Sequence, residues 1–181
     1  MSQIKKVTCH VVSAPVQKPF TSSRGWIYKT RGSCIVEIET NDGIVGWGEC
    51  YGPSTVAKAF IDTQFGPRVI GRDPFDVEVI WEDLYNRIKD YGTTGMAISA
   101  ISGIDIALWD IIGKSCGKPI HKLIGGSYRD EVTPYATGLY FIDMDRLIEE
   151  AVEEAIEFKQ NGFSAIKMKI GLGDLKLDIK R

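Results

Sequence analysis

The chain has 181 residues, 44% of them hydrophobic and 25% charged, with 22 basic against 24 acidic side chains and a formal charge of −2. That length suits one domain or slightly more with a real apolar core, and the near-neutral balance argues against nucleic acid or an anionic membrane as partner. The sequence reads as having no apolar stretch of membrane-spanning length, and Met1-Ser2-Gln3-Ile4-Lys5-Lys6 lacks the apolar core of a signal peptide, so the cytoplasm is the expected compartment.

The first fifty residues predict three antiparallel strands. Residues 4–12 are β-branched and apolar, and 33–40 alternate as Cys34-Ile35-Val36-Glu37-Ile38-Glu39. Asn41-Asp42-Gly43 marks a tight turn before a third strand over 44–49. Residues 14–30 read as a long loop carrying Arg24, Trp26, Tyr28 and Lys29, and 51–54 as a shorter one beginning at Tyr51. Loops this long in compact domains are often functional. The period then becomes helical: one helix over 54–65, a second from the Asp73-Pro74 cap to about 90, and a third over 94–114. In the third, Ala97, Ala100, Gly103 and Ala107 form a small-residue face suited to close packing beside bulky Ile101, Ile104, Leu108 and Ile111.

A new pattern begins at 128–130. A strand over 131–138, a cap at Asp143 and an amphipathic helix over 144–160 ending at Asn161-Gly162 lead to a second strand over 165–170. Strand, helix and strand with about thirty residues between strand starts make a βαβ unit, so the strands should be parallel. Glu149, Glu150, Glu153, Glu154 and Glu157 read as the helix's solvated face. Gly171-Leu172-Gly173 lacks the third glycine of a dinucleotide loop, Lys176 standing in its place.

Two residues in the last strand carry chemistry. Lys167 and Lys169 alternate, so both ammonium groups would project to one side, roughly 6.6 Å apart along the chain. Two like charges so close in a partly buried site disfavour each other's protonation, and one could serve as a base near neutral pH; a strand with its lysines in solvent is the alternative. The four cysteines, Cys9, Cys34, Cys50 and Cys116, are scattered and read as reduced small hydrophobes. His10 and His121 stand alone and read as neither ligand nor base.

Three features together resemble the mandelate racemase and muconate lactonizing branch of the enolase superfamily. The most specific is Ala100-Ile101-Ser102-Gly103-Ile104-Asp105-Ile106-Ala107-Leu108-Trp109-Asp110-Ile111-Ile112-Gly113-Lys114, followed by Gly117-Lys118-Pro119-Ile120 and Leu123-Ile124-Gly125-Gly126. Gly46-Trp47-Gly48-Glu49 and the Lys167-Met168-Lys169 triplet are the others. The resemblance implies an α+β capping domain, a three-stranded antiparallel sheet plus helical bundle over 1–128. From 129 it implies the first βαβ of a truncated TIM-like (β/α)7β barrel. It implies abstraction of a proton α to a carboxylate, with Mg²⁺ stabilising the enediolate. By the same likeness Lys169 is the base and Lys167 the neighbour that lowers its pKa and helps bind the carboxylate. Arg24, Trp26 and Tyr51, on the two loops that would close over the barrel mouth, are the candidate substrate-binding residues. Asp105, Trp109 and Asp110 read as structural residues of the cap.

No Asp or Glu in the chain matches a metal-ligand position of the family, so the Mg²⁺ ligands are expected in further barrel strands. The chain ends at Asp178-Ile179-Lys180-Arg181, early in the helix after the second barrel strand. Two strands and a helix cannot close a barrel, so the expectation is a fragment of a longer enzyme, inactive alone. The leading function is the N-terminal part of an acid-sugar dehydratase acting on a small carboxylate, its parent homo-oligomeric. A racemase, epimerase or cycloisomerase of the same branch is the alternative. From another class come a non-catalytic capping or oligomerisation module and, more remotely, a Schiff-base lyase.

Overall fold

The computed structural model describes residues 2–23 and 26–181. The chain divides into two compact units: unit 1 is Met1–Ser13 with Gly32–Tyr128, and unit 2 is Ala14–Arg31 with Arg129–Arg181.

Unit 1 is a three-stranded sheet with helices on one face. Strands β1 (Ile4–Ser23), β2 (Trp26–Thr40) and β3 (Val45–Cys50) lie in the order β1-β2-β3. β2 and β3 are antiparallel, with Cys34 opposite Cys50 and Glu39 opposite Val45. Alternation decides the faces: Cys34, Val36, Ile38 and Thr40 are buried, while the residues between them point outward. On the outer face Lys5 Nζ meets Glu39 Oε1 at 2.6 Å and His10 Nε2 meets Glu37 Oε2 at 2.6 Å. The turn is built as expected: Gly43 has φ +88°, and the Ile44 N–H donates to Thr40 Oγ1.

The outer halves of β1 and β2 correct the sequence reading. Within 14–30, read as a loop, residues 14–23 and 26–30 are instead a continuation of the two strands. Pro15 and Pro19 mask the signal, since proline has no N–H for a ladder and depresses the strand propensity of its surroundings. Phe20 stacks on Tyr28 at 5.1 Å between ring centroids, the cross-strand aromatic pairing that favours a two-stranded ribbon.

Helix α1 (Ser54–Phe60) continues through a π-helical segment, Ile61–Phe65, into α2 (Gly66–Val69), so the helical path runs past the expected end at 65. Pro67 has no N–H to give, and the Gly66 N–H instead reaches back five residues to Ile61 O. Asp73 receives the Phe75 N–H in a turn, and α3 (Val77–Arg87) starts later than the Asp73-Pro74 signal suggested. Arg68 grips Asp83 with two hydrogen bonds, 2.8 and 3.2 Å, and Arg72 adds a third at 3.3 Å.

Helix α4 (Met96–Cys116) is the centre of the unit. It is 21 residues long and, contrary to the sequence reading, apolar enough by length and composition to cross a membrane. Here it is a core helix: Ala97, Ala100, Gly103 and Ala107 are buried along the face that meets β3 and α1, with Ile101, Ile104, Leu108 and Ile111 beside them. The approach to β3 is at backbone distance. A Cβ on Gly48 would fall on the Gly103 carbonyl, one on Gly46 on the Ala107 carbonyl, and one on Gly103 on Cys50 Sγ. Asp110 accepts the Trp47 N–H at 2.9 Å, and Lys114 Nζ reaches both Asp110 and the Val45 carbonyl. These two side chains thereby satisfy backbone groups on the edge of β3. Trp109 packs partly buried against the same core. Asp105 is half-buried, and that burial, with Glu78 nearby, pushes its carboxyl pKa up. Gly117, left-handed at φ 59°, ends α4 before the short α5 (Ile120–Leu123). The cysteines are free; Cys9, Cys34 and Cys50 are buried, and burial pushes the Cys9 and Cys50 thiols up to about 12, which makes them unreactive.

Unit 2 holds the parallel pair. Strand β4 (Ala136–Thr137) lies beside β5 (Ile166–Lys167), with Ala136 opposite Ile166, and α6 (Leu147–Gln160) connects them. Both strands are shorter than expected, and Lys169 falls beyond β5. The helix begins at Leu147 rather than 144, because Asp143 turns the chain locally by accepting the Asp145 N–H. Leu147 and Ala151 are buried with Ala136, Leu139 and Phe141. Glu150 and Glu154 depart from the solvated-face reading: Glu150 accepts the Asp143 N–H and Glu154 the Leu139 N–H. The final helix, α7 (Leu175–Lys180), is capped by Asp174, which accepts from the Lys176 and Leu177 N–H groups.

Two tests follow. Gly48→Ala or Gly103→Ala, which forces the helix off the strand, should lower the unfolding free energy read from urea titration by about 1–3 kcal/mol, while Ser102→Ala on the exposed side of α4 leaves it unchanged. Asp83, held below the usual carboxylate range chiefly by the Arg68 hydrogen bond, adds stability that is present above the unfolded carboxylate pKa and lost as pH falls through the lower folded value. Asp83→Asn should therefore reduce stability at pH 7 and lessen the loss on acidification below about pH 4, followed by urea titration at each pH.

Candidate active site

The C-terminal ends of β4 and β5 build the site. Gly138 N–H donates to the Lys167 carbonyl at 3.1 Å, the last bond of the parallel ladder. Gly138 has no room for a side chain, since a Cβ would lie 2.5 Å from Glu154 Oε1 and 2.6 Å from the Phe158 ring. At the next residue the backbone turns away: Leu139 has φ +51°, a left-handed conformation that a branched residue holds only when its surroundings impose it. Its surroundings do so. The Leu139 N–H donates to Glu154 Oε2 at 2.7 Å, and its carbonyl accepts from Arg181 Nη2 at 2.8 Å.

Arg181 ties this end together. Its guanidinium donates to the carbonyls of Leu147 (3.1 Å), Lys169 (2.8 Å), Leu139 (2.8 Å) and Tyr140 (3.2 Å). Its Cζ also lies 4.5 Å from the Phe141 ring centroid. Backbone from both strand exits is thus fixed to one rigid, many-donor group. Burial draws the Arg181 pKa below the ordinary arginine value.

Each lysine rests against a tyrosine. Lys167 is exposed, its Nζ 5.6 Å from the Tyr135 ring centroid, and Lys169 is half-buried with its Nζ 5.5 Å from the Tyr140 centroid. Both distances lie within cation–π range. In the same unit the outer half of β1 approaches Tyr140: Phe20 lies 4.4 Å from it, and Thr21 and Phe141 exchange backbone hydrogen bonds of 2.8 and 3.0 Å. Trp26, 60% exposed, is tilted 6.3 Å from Tyr28. Trp26, Lys167 and Lys169 therefore belong to unit 2, whereas Tyr51, 90% exposed, belongs to unit 1; Arg24 lies outside the described residues. Tyr135, Tyr140, Phe20 and Arg181 were missed in the sequence. The available signal was the pair of tyrosines bracketing the first barrel strand.

Two ammonium groups near strand ends suit a carboxylate ligand and a proton transfer. Among the described residues, no three His, Cys, Asp or Glu side chains gather so as to hold a metal ion. These residues do not fit a magnesium site.

Residues 5–125 match the family profile described as mandelate racemase / muconate lactonizing enzyme, N-terminal domain. The chain is 44% identical over 172 residues to D-galactarolactone cycloisomerase of Agrobacterium fabrum, covering 94% of this chain and 45% of that protein. It is 43% identical over 147 residues to arabinonate dehydratase of Saccharolobus solfataricus, covering 80% and 39%. The crystal structure of a racemase from Streptomyces coelicolor with bound magnesium superposes with a TM-score of 0.87 at 33% identity, covering 97% of this chain and 49% of that one. The chain thus spans less than half the length of the relatives it matches. Signature helix, sheet, βαβ unit and sequence similarity concur: the chain belongs to the mandelate racemase / muconate lactonizing enzyme family of the enolase superfamily, and residues 5–125 are that family's N-terminal domain.

Proposed function

We propose that this chain, completed by the remainder of a family barrel, is the N-terminal part of an enzyme that removes the α-proton of a small carboxylate, with an acid sugar as substrate and loss of water as outcome. The observation that carries this reading is the position of Lys167 and Lys169 where the second of two parallel strands ends, in a chain of this family. In this reading residues 1–128 are the cap and the barrel starts at 129. Lys169 is the base: its neutral Nζ takes the α-proton, and the electron pair of the broken C–H bond becomes the Cα–Cβ double bond. The β-carbon–oxygen bond breaks as the hydroxyl takes a proton from solvent and leaves as water, Lys169 then returning its proton to solvent. Lys167 holds the carboxylate by charge. Trp26 and Tyr51, with Arg24, contact the hydroxylated body of the substrate.

The magnesium in the racemase relative supports a magnesium-dependent enzyme, its ligands on residues other than those described here. The parent works as a homo-oligomer in the cytoplasm, where its free thiols persist. A second reading, ring opening or closure of a cyclic sugar acid, is favoured by the 44% identity to a cycloisomerase over nearly the whole chain.

Lys169→Ala in the completed protein should lower α-proton exchange in deuterated water by about 10²–10⁴-fold, while the circular dichroism stays unchanged; exchange within threefold of wild type would remove Lys169 from the mechanism. Acid sugars incubated with the wild type and followed by mass spectrometry separate the readings, since dehydration lowers the mass by one water and isomerisation does not. The 181-residue chain supplied with magnesium should show neither reaction, and turnover by it would refute the assignment of a necessary metal site elsewhere.

A further inference from the structure

We propose that Tyr140 is a positioning residue through which the outer halves of β1 and β2 act on Lys169. The contacts run without a gap. Arg31 Cζ lies 5.0 Å from the Phe20 ring centroid and 4.9 Å from that of Tyr28, and these two rings are stacked on each other. Phe20 in turn packs on Tyr140 at 4.4 Å, tilted by 48°, and Tyr140 takes the Lys169 ammonium over its ring at 5.5 Å.

The backbone under this relay is held hard. Tyr140 follows the left-handed Leu139, and its own carbonyl accepts from Arg181, the same guanidinium that holds the Lys169 carbonyl. Main chain on both sides of the Tyr140–Lys169 contact is therefore anchored to one group. What is left to vary is the side chains. Lysine has four rotatable bonds and loses much freedom when held, so a ring that offers its face selects among Lys169 rotamers. The orientation of that ring depends in turn on Phe20, a half-buried residue of β1 that lies 120 positions earlier in the sequence.

These strand segments thus bear on the ammonium group through Tyr140. Closer docking of Phe20 fixes the Tyr140 ring and with it Lys169, whereas withdrawal releases both. The catalytic meaning of the relay rests on the reading of Lys169 as the base, but the relay is a physical statement about this chain and can be measured in it.

The experiment is nuclear magnetic resonance of the 181-residue chain with isotope-labelled lysines, the Lys169 signal being assigned by its loss in Lys169→Arg. In the wild type the Lys169 ε-methylene protons should resonate upfield of the other lysines through the Tyr140 ring current. Tyr140→Leu should abolish that displacement and Tyr140→Phe, which keeps the ring, should retain it. Phe20→Leu, which leaves Tyr140 and Lys169 themselves unaltered, should diminish it. A Lys169 signal in Phe20→Leu identical to wild type overturns the relay, as does loss of the shift in Tyr140→Phe. If Tyr140→Leu does not fold, those two variants still decide. Should the relay hold while Lys169→Ala keeps full exchange activity in the completed protein, the assignment of the base fails and the coupling stands.

Discussion

The close approach of α4 to β3 is the constraint on which unit 1 depends. Helix and strand meet backbone to backbone because Gly46, Gly48 and Gly103 carry no side chain at the contact and Ala107 carries the smallest. That proximity brings Asp110 and Lys114 to the edge of β3, where they satisfy polar groups that the sheet leaves unpaired. It also buries the flanking Ile101, Ile104, Leu108 and Ile111 completely. Each is worth about 1.5–3 kcal/mol, so together they rival the net stability of a typical domain, about 5–15 kcal/mol. Propensity alone could not hold such a helix in place; the glycines make the burial possible.

The same logic of backbone satisfaction operates at the strand ends of unit 2, with different groups. There the parallel ladder is only two residues long, and the chain leaves it at Leu139 in a conformation that costs energy. Glu154 and Arg181 replace the missing ladder partners, one receiving the N–H and the other donating to the carbonyl. Arg181 also fixes the Lys169 carbonyl, so the group that offsets the strain is the one that sets the backbone of the candidate base. Structural repair and site construction use one residue.

The elements most legible in the sequence were those whose signals are local. The Asn41-Asp42-Gly43 turn, the alternation of β2 and the small-residue face of α4 each follow from neighbours a few positions apart. Lys167 and Lys169 were legible as a pair for the same reason. Residues 14–23 and 26–30 read as a loop because the prolines that punctuate a loop also occur in an irregular two-stranded ribbon, and only the partner strand distinguishes the two. The membrane-length apolarity of α4 was overlooked because the small residues that give it a packing face also count as apolar. Glu150 and Glu154 looked solvated because helical spacing says which residues share a face, not what lies opposite.

The sequence by itself determined the family, the order of strands and helices, and the pairing of Lys167 with Lys169 at the exit of the second parallel strand, because each rests on residue types at short, fixed offsets. Only the tertiary structure decided that Tyr140 and Tyr135 receive those lysines, that Phe20 reaches Tyr140, and that Arg181 gathers four carbonyls from separate segments. Those contacts join residues up to 120 positions apart. Their formation depends on chain path and packing geometry, and neither is encoded in any local spacing of residues.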